Sequence, residues 1–314
     1  MNTKKVKFGV IGVGYLGKFH VKQLSSLDCI ELIGIYDIDP KQASLVANQY
    51  NIKKFENIEN LFQSIDAVSI VTPTKYHYSV AMMALKYDVH IFIEKPITDS
   101  IDEANQLLSQ SIVKGRVIHV GHIERFNPAF KAYTQQPYAP LFIECHRLTK
   151  INKRSMDISV VLDLMIHDID LMLLLINSNI KEIIADGISV ISKNIDLANV
   201  KLIFENGAVT NLTASRISNK EMRKLRIFEK RKYITVDLLE KEVKEYEAIP
   251  KKNKEIALQN RSLNVKNYDA LKEELFHFHN SIVKNNLDEN NAKNAIKALE
   301  IAKQINHIIK QKLS

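Results

Sequence analysis

Lys7-Phe8-Gly9-Val10-Ile11-Gly12-Val13-Gly14-Tyr15-Leu16-Gly17 joins a short apolar run to a glycine-rich turn, and Asp37 follows twenty residues after the last glycine. The apolar run reads as a buried strand and the glycines as the tight turn that opens a helix. That geometry lets backbone amides approach a pyrophosphate at the positive helix end. A bare G-x-G-x-x-G carries little weight. Here an amphipathic segment, Phe19 to Leu27, follows it, and Asp37 ends a second apolar run, Ile30 to Tyr36. In that context the motif predicts a dinucleotide site, the competing reading being a glycine-rich turn in some other α/β protein. Gly12, Val13, Gly14, Tyr15, Leu16 and Gly17 are the expected cofactor contacts. Asp37 is expected to accept hydrogen bonds from the adenine-ribose hydroxyls and to repel a 2′-phosphate, which favours NAD over NADP.

At 314 residues the chain is long enough for two domains. Its apolar and charged fractions, 46% and 25%, are those of a soluble globular protein. The longest apolar stretch, Ile158 to Ile176, is broken by Asp163, His167, Asp168 and Asp170, which argues against a transmembrane span. Met1 to Lys7 has the charge of a signal-peptide head, but its continuation carries the glycine fingerprint and lacks a small-residue cleavage site. Cys29 and Cys145 lie in separate apolar contexts, without disulfide or zinc spacing. The expected setting is cytoplasmic. Net charge is +8, and much of the excess is local: Arg216 to Lys232 holds eight basic residues against Glu221 and Glu229. No nucleic-acid module accompanies them, so no nucleic-acid or membrane partner is expected. The run reads as a solvated hairpin, with contacts to a phosphorylated small substrate as the second reading.

Residues 1–122 alternate short apolar runs with helical patterns. Strands are expected at Val6–Ile11, Ile30–Tyr36, Ala67–Thr72, His90–Glu94 and Arg116–Gly121, with helices near Gly14–Ser26, Pro40–Gln49, Asn57–Ser64, Tyr76–Lys86 and Ser100–Lys114. This alternation predicts a doubly wound parallel sheet. Beyond Gly121 the rhythm changes. A short helix after Asn127-Pro128, a strand at Leu141–Leu148 and a long helix at Ile158–Ile176 precede consecutive strands, with a hairpin signal at Asn206-Gly207. Residues 123–314 are therefore expected to form a second α/β domain with a largely antiparallel open sheet. Pro250 to Lys266 is the one linker-like stretch, before terminal helices at Asp269–Lys284 and Asn291–Lys312.

Ligands of open α/β sheets sit beyond the carboxyl ends of the strands. Thr72 and Pro73, with His77 close behind, lie at one such end and Glu94 and Lys95 at another; all are candidate cofactor contacts. Lys95 can also hydrogen-bond a substrate hydroxyl and stabilise the oxygen that gains charge as hydride leaves, although most single lysines are surface residues. Asp163, His167 and Asp170, spaced by four and three, are expected on one face of the long helix. Charges on so apolar a helix need partners or a cavity. Asp163 beside His167 suits an imidazole that accepts a hydroxyl proton; a buried ion-pair cluster and a His/Asp metal site are the alternatives, and no metal is expected. Asp168 is expected on another face, as a surface or supporting charge. His122 and Arg125, where the domains join, are candidate substrate contacts, with a salt bridge by Glu124 and Arg125 as the alternative. His277 and His279 read as packing.

Together, the glycine fingerprint, Thr72-Pro73 with His77, Glu94-Lys95-Pro96 and Asp163-x-x-x-His167-x-x-Asp170 resemble the Gfo/Idh/MocA family over nearly the whole chain. The resemblance implies a nucleotide-binding domain, then an α/β domain whose open sheet serves substrate binding and oligomer contacts, in a homodimer or homotetramer. It implies that Lys95, Asp163 and His167 act on a substrate hydroxyl and that the Lys95–Pro96 peptide is cis. Val120 to Pro128, Asp163 to Asp170 and Arg223 to Phe228 look like the branch containing UDP-N-acetylglucosamine 3-dehydrogenases, which implies a sugar or nucleotide-sugar substrate. Met165 departs from the glycine common in the family and implies a tighter pocket. The expected activity is NAD-dependent oxidation of a secondary sugar hydroxyl. An NAD-using glycosidase or epimerase-like member that recycles its hydride, and a non-catalytic NAD-binding sensor, are the rivals.

Overall fold

Strand β1 (Val6–Ile11) lies at the centre of a six-stranded parallel sheet in the computed structural model, which describes residues 5–151, 156–250, 256–287 and 289–313. The remaining strands are β2 (Ile30–Tyr36), β3 (Lys53–Lys54), β4 (Ala67–Ile70), β5 (His90–Glu94) and β6 (Ile118–Gly121), in the order β3-β2-β1-β4-β5-β6. Helices α1 (Tyr15–Ser25), α2 (Pro40–Tyr50), α3 (Ile58–Phe62), α4 (His77–Lys86) and α5 (Ile101–Lys114) connect them. The chain order reverses between β1 and β4, so this Rossmann-like sheet opens its crevice beside the glycine turn and the end of β4. Asp39 caps α2 through the amides of Lys41 and Gln42, with Pro40 in the first turn, and Ser100 caps α5 through the Glu103 amide.

The short helix α6 (Pro128–Thr134) precedes β7 (Phe142–Leu148), then a π-helical turn at Val161–Met165 that runs into α7 (Ile166–Leu175). Seven further strands follow: β8 (Ile180–Ile188), β9 (Leu197–Phe204), β10 (Val209–Ser215), β11 (Met222–Glu229), β12 (Lys232–Asp237), β13 (Glu242–Pro250) and β14 (Ile256–Ser262). They join β7 in an eight-stranded sheet, β14-β13-β12-β11-β7-β10-β9-β8, antiparallel except where β10 runs parallel to β7. Gly207, at φ +86°, turns the β9–β10 hairpin. Helices α8 (Ala270–Val283) and α9 (Glu289–Leu313) end the described chain.

Contacts divide the chain into two units. The first comprises residues up to Ile123 together with Asp269–Lys297, the second Glu124–Tyr268 with the residues from Ala298 onward. A single division after residue 122 does not describe this, because α8 returns to the first sheet. There Phe278 meets Phe8 and Phe92 edge-on, each pair of ring centroids 5.8 Å apart. His119 of β6 contacts the fully buried Glu274 of α8 at 3.2 Å. In the second unit Ile143, Cys145, Val200, Leu212, Leu225 and Val236 pack beneath Ile166, Ile169 and the Ala302–Ile305–Ile309 face of α9.

Three elements depart from expectation. β3 is a two-residue lysine strand with no apolar signature. β14 lies in the stretch read as a linker; it pairs with β13 through its backbone while nearly all its side chains are exposed. The long helix begins later than Ile158, on its π turn. Met1–Lys4 of the basic start and residues 251–255 of the expected linker lie outside the described residues. No helix among the described residues is long and apolar enough to cross a membrane.

Candidate active site

The glycine turn divides its work among three positions. Gly12 has φ +85°, and a Cβ there would fall 2.6 Å from the Val71 carbonyl oxygen. A Cβ at Gly17 would meet the Gly12 oxygen at 1.9 Å, so α1 packs against its own turn only without a side chain. Gly14, which precedes α1, has nothing within 4 Å of its missing Cβ, and no side chain caps the first amides of the helix. Open space beside uncapped amides is what a pyrophosphate needs. Tyr15 and Leu16 are exposed beside it, whereas Val13 is fully buried. The Val13 amide donates to Asp37 Oδ2 at 2.6 Å, and the Asp39 amide donates to Asp37 Oδ1 at 2.9 Å. Thr72 Oγ1, beyond β4, is buried with no hydrogen-bond partner among the described residues. These residues fit a dinucleotide.

The ends of β4 and β5 carry the next layer. Lys95 is half-buried and its peptide to Pro96 is cis. Glu94 is tied inward: its Oε1 lies 3.0 Å from His20 Nε2 and its Oε2 accepts the Lys95 amide at 3.3 Å. Burial works against the Glu94 charge, but the His20 hydrogen bond and nearby charges, Lys95 among them, hold its carboxyl below the usual range. His20 in turn reaches Ser69 Oγ at 2.8 Å. Nothing in the sequence marked His20, which stands three residues after Gly17 on a helix face that looked merely amphipathic.

His77 is not placed to contact a cofactor directly. Its ring is buried, with Nδ1 2.9 Å from the Pro96 carbonyl oxygen and Nε2 2.9 Å from that of Thr72. A ring that donates to both carbonyls must carry both protons. Burial opposes that charge and pushes the pKa down, while the two carbonyls and Glu94 favour it.

In the second unit, Asp163 lies within the π turn and His167 follows on α7; both are half-buried. Asp170 is buried, and Arg125 donates to both its oxygens, through Nε at 2.7 Å and through a short NH2 contact. Arg125 and Asp170 are thus paired with each other. His122, in the first unit, is almost wholly buried. Asp168 is no surface charge: Arg147 donates to it through Nε and NH2, at 2.7–3.0 Å, and to Glu124 through NH1 at 2.7 Å. Burial opposes the Glu124 charge, yet Arg147 and then Arg223 hold its carboxyl below the usual range. Alternation along β7 puts Arg147 on the inward face with Ile143 and Cys145, a signal for a buried partner that the sequence reading passed over. Met165 is fully buried in the core and so narrows no pocket.

The basic run is mostly neutralised. Arg216 is buried and donates to the Ile158 carbonyl, Lys224 pairs with Asp237 at 2.9 Å, Arg226 with Glu144 at 3.4 Å and Lys232 with Glu245 at 3.8 Å.

Residues 6–122 match the family model described as an oxidoreductase family with an NAD-binding Rossmann fold, and residues 121–234 match the GFO/IDH/MocA C-terminal domain. The chain belongs to the Gfo/Idh/MocA family. As a member of that family it is an oxidoreductase, and NAD is its cofactor. UDP-N-acetylglucosamine 3-dehydrogenase of Acidithiobacillus ferrooxidans is 38% identical over 235 residues, 74% of either chain. A solved structure of that enzyme, GnnA, superposes with a TM-score of 0.92 and 32% identity over 99% of this chain and 100% of its own. The scyllo-inositol 2-dehydrogenase (NAD(+)) of Bacillus subtilis is 28% identical over 68% of either chain. In this Gfo/Idh/MocA member, then, the glycine turn, Asp37 and Thr72 belong to a domain whose family binds NAD, and the identity that reaches 38% continues into the part of the chain bearing His167.

Proposed function

We propose that this protein is an NAD-dependent dehydrogenase of a nucleotide sugar, oxidising the 3-hydroxyl of UDP-N-acetylglucosamine or a close analogue. The observation that carries the reading is the pairing of an open, uncapped glycine turn in a NAD-binding family domain with 38% identity to an enzyme of that name. In this reading Gly12 to Gly17 hold the pyrophosphate, Asp37 the adenine ribose, and Thr72 Oγ1 gains a partner from the bound cofactor. NAD, when bound, supplies the hydride acceptor.

The remaining chemistry falls to three side chains. Lys95 donates a hydrogen bond to the reacting hydroxyl oxygen, which gains negative charge as hydride leaves carbon. His167 accepts the hydroxyl proton, a role suited to imidazole because it titrates near neutral pH. Asp163 orients that imidazole from the π turn, a geometry frequent at functional sites.

Self-association is part of the proposal. Phe142, Phe228, Tyr233 and Tyr246 form an aromatic ladder across β7, β11, β12 and β13, with centroids 5.0–5.9 Å apart, on the face opposite the core residues Ile143, Ile227 and Ile234. Such a face suits a second copy in a dimer or tetramer.

A thermal-shift screen of UDP-sugars with NAD present tests the substrate class, since a ligand of the native state raises apparent stability by mass action. UDP-N-acetylglucosamine is expected to raise Tm; no response to any UDP-sugar, with a response to free inositols, would overturn the reading.

A further inference from the structure

The turns that leave β4 and β5 are separate in sequence, yet one ring joins them. His77 lies between the Thr72 carbonyl and the Pro96 carbonyl, 2.9 Å from each, and is almost wholly buried. One turn carries Thr72-Pro73 and the other Lys95-Pro96, at the carboxyl ends of adjacent strands paired in register from Ala67↔His90 to Ile70↔Ile93. Both turns run through prolines at 73 and 96, which lack the amide a backbone-to-backbone bond between the turns would use at those positions. A ring with a nitrogen on each of two opposite edges can span the two carbonyls instead, donating to the one its protonated nitrogen faces and packing against the other. His77 is well anchored for this, at the start of α4 just after the 3-10 turn Thr74–Tyr76.

We propose that His77 is a positioning residue: by strapping the Thr72–Pro73 turn to the Lys95–Pro96 turn it fixes where the Lys95 ammonium stands, without itself touching cofactor or substrate. The inference rests on the dehydrogenase reading, in which Lys95 acts on the reacting oxygen. A displacement of about 1 Å at such a group costs on the order of a hundredfold in rate, so the strap acts on kcat. The pyrophosphate cradle, Gly12 to Gly17, lies on another turn, so the strap reaches NAD only through the single Thr72 contact and affects affinity far less than kcat.

The test compares His77→Phe, which fills the space without donors, with His77→Gln, which restores N–H donors on a flexible stem. Three readouts are taken: amide hydrogen exchange of the NAD-free protein at Thr74–Tyr76 and Ile97–Thr98, NAD affinity by calorimetric titration, and steady-state kcat with UDP-N-acetylglucosamine. The strap predicts faster exchange in both turns of His77→Phe, NAD affinity within threefold of the parent, kcat lower by fivefold or more, and partial recovery in His77→Gln. A kcat within fivefold of the parent, or NAD affinity falling in step with kcat, overturns it. If His77→Phe does not fold, the same thresholds apply to His77→Gln. Failure of the dehydrogenase reading looks different: the unaltered protein would then form no NADH, or Lys95→Met and His167→Ala would keep its turnover, whereas a failed strap leaves the parent active, those two variants inactive and His77→Phe active.

Discussion

Asp37 holds the glycine turn in place by accepting the Val13 amide at 2.6 Å, while its second oxygen accepts the Asp39 amide at 2.9 Å. The carboxylate is thereby fixed by the same turn that approaches the phosphates, and each oxygen keeps a lone pair for a ribose hydroxyl. Hydrogen bonds to a charged group are worth about 1.5–3 kcal/mol. Asp37→Ser is therefore expected to weaken NAD binding by roughly tenfold or more and to narrow the preference over NADP, measured by titrating both cofactors. Equal affinity of the unaltered protein for both would contradict the assignment.

Gly14 and Gly17 should separate binding from folding. A methyl at Gly14 meets no protein atom within 4 Å, so Gly14→Ala should fold with the parent's Tm and lose NAD affinity. A methyl at Gly17 collides with the Gly12 carbonyl at 1.9 Å, so Gly17→Ala should lower Tm even without cofactor. Melting curves with and without NAD check both.

His167→Ala should lower kcat by roughly 10²–10⁴, the usual contribution of a positioned acid–base group, while NAD affinity stays unchanged. Stopped-flow measurement of the first turnover locates the loss in the chemical step. Near-parental turnover would remove His167 from the mechanism.

Asp196 predicts a pH dependence of stability. Its Oδ2 accepts the amides of Val190, Ile191 and Ser192 at 2.8–2.9 Å, and its Oδ1 accepts the Ser192 hydroxyl at 2.7 Å. Burial opposes the charge, but these donors bring the pKa down to about 2. A carboxyl depressed in the native state stabilises fully above its unfolded value, about 3.9, and that contribution is lost as pH falls through about 2. Asp196→Asn should melt below the parent protein at neutral pH, and the gap should close between about pH 4 and about pH 2.

The first sheet was legible because its strands are short runs of valine and isoleucine, each followed by a turn residue with one conformational meaning. Lys53–Lys54 escaped because a two-residue edge strand buries nothing. Ile256–Ser262 escaped because backbone pairing holds it while its side chains stay exposed. In the site, Gly12, Gly14, Gly17 and Asp37 announce themselves by spacing. Asp168 and Asp170 did not, since an acid in an apolar helix reads alike whether it meets ligand or arginine; Arg147 and Arg125 come from other segments. The π turn at Val161–Met165 was equally hidden, because helical periodicity assumes a uniform turn.

The central claim is net oxidation of a nucleotide sugar, and the most direct measurement is NADH absorbance when the purified protein is mixed with NAD and UDP-N-acetylglucosamine. The account predicts that NADH accumulates together with a 3-keto sugar, and that His167→Ala abolishes both. A flat NADH signal while the sugar is consumed, or no consumption of any UDP-sugar despite saturating NAD, would contradict it.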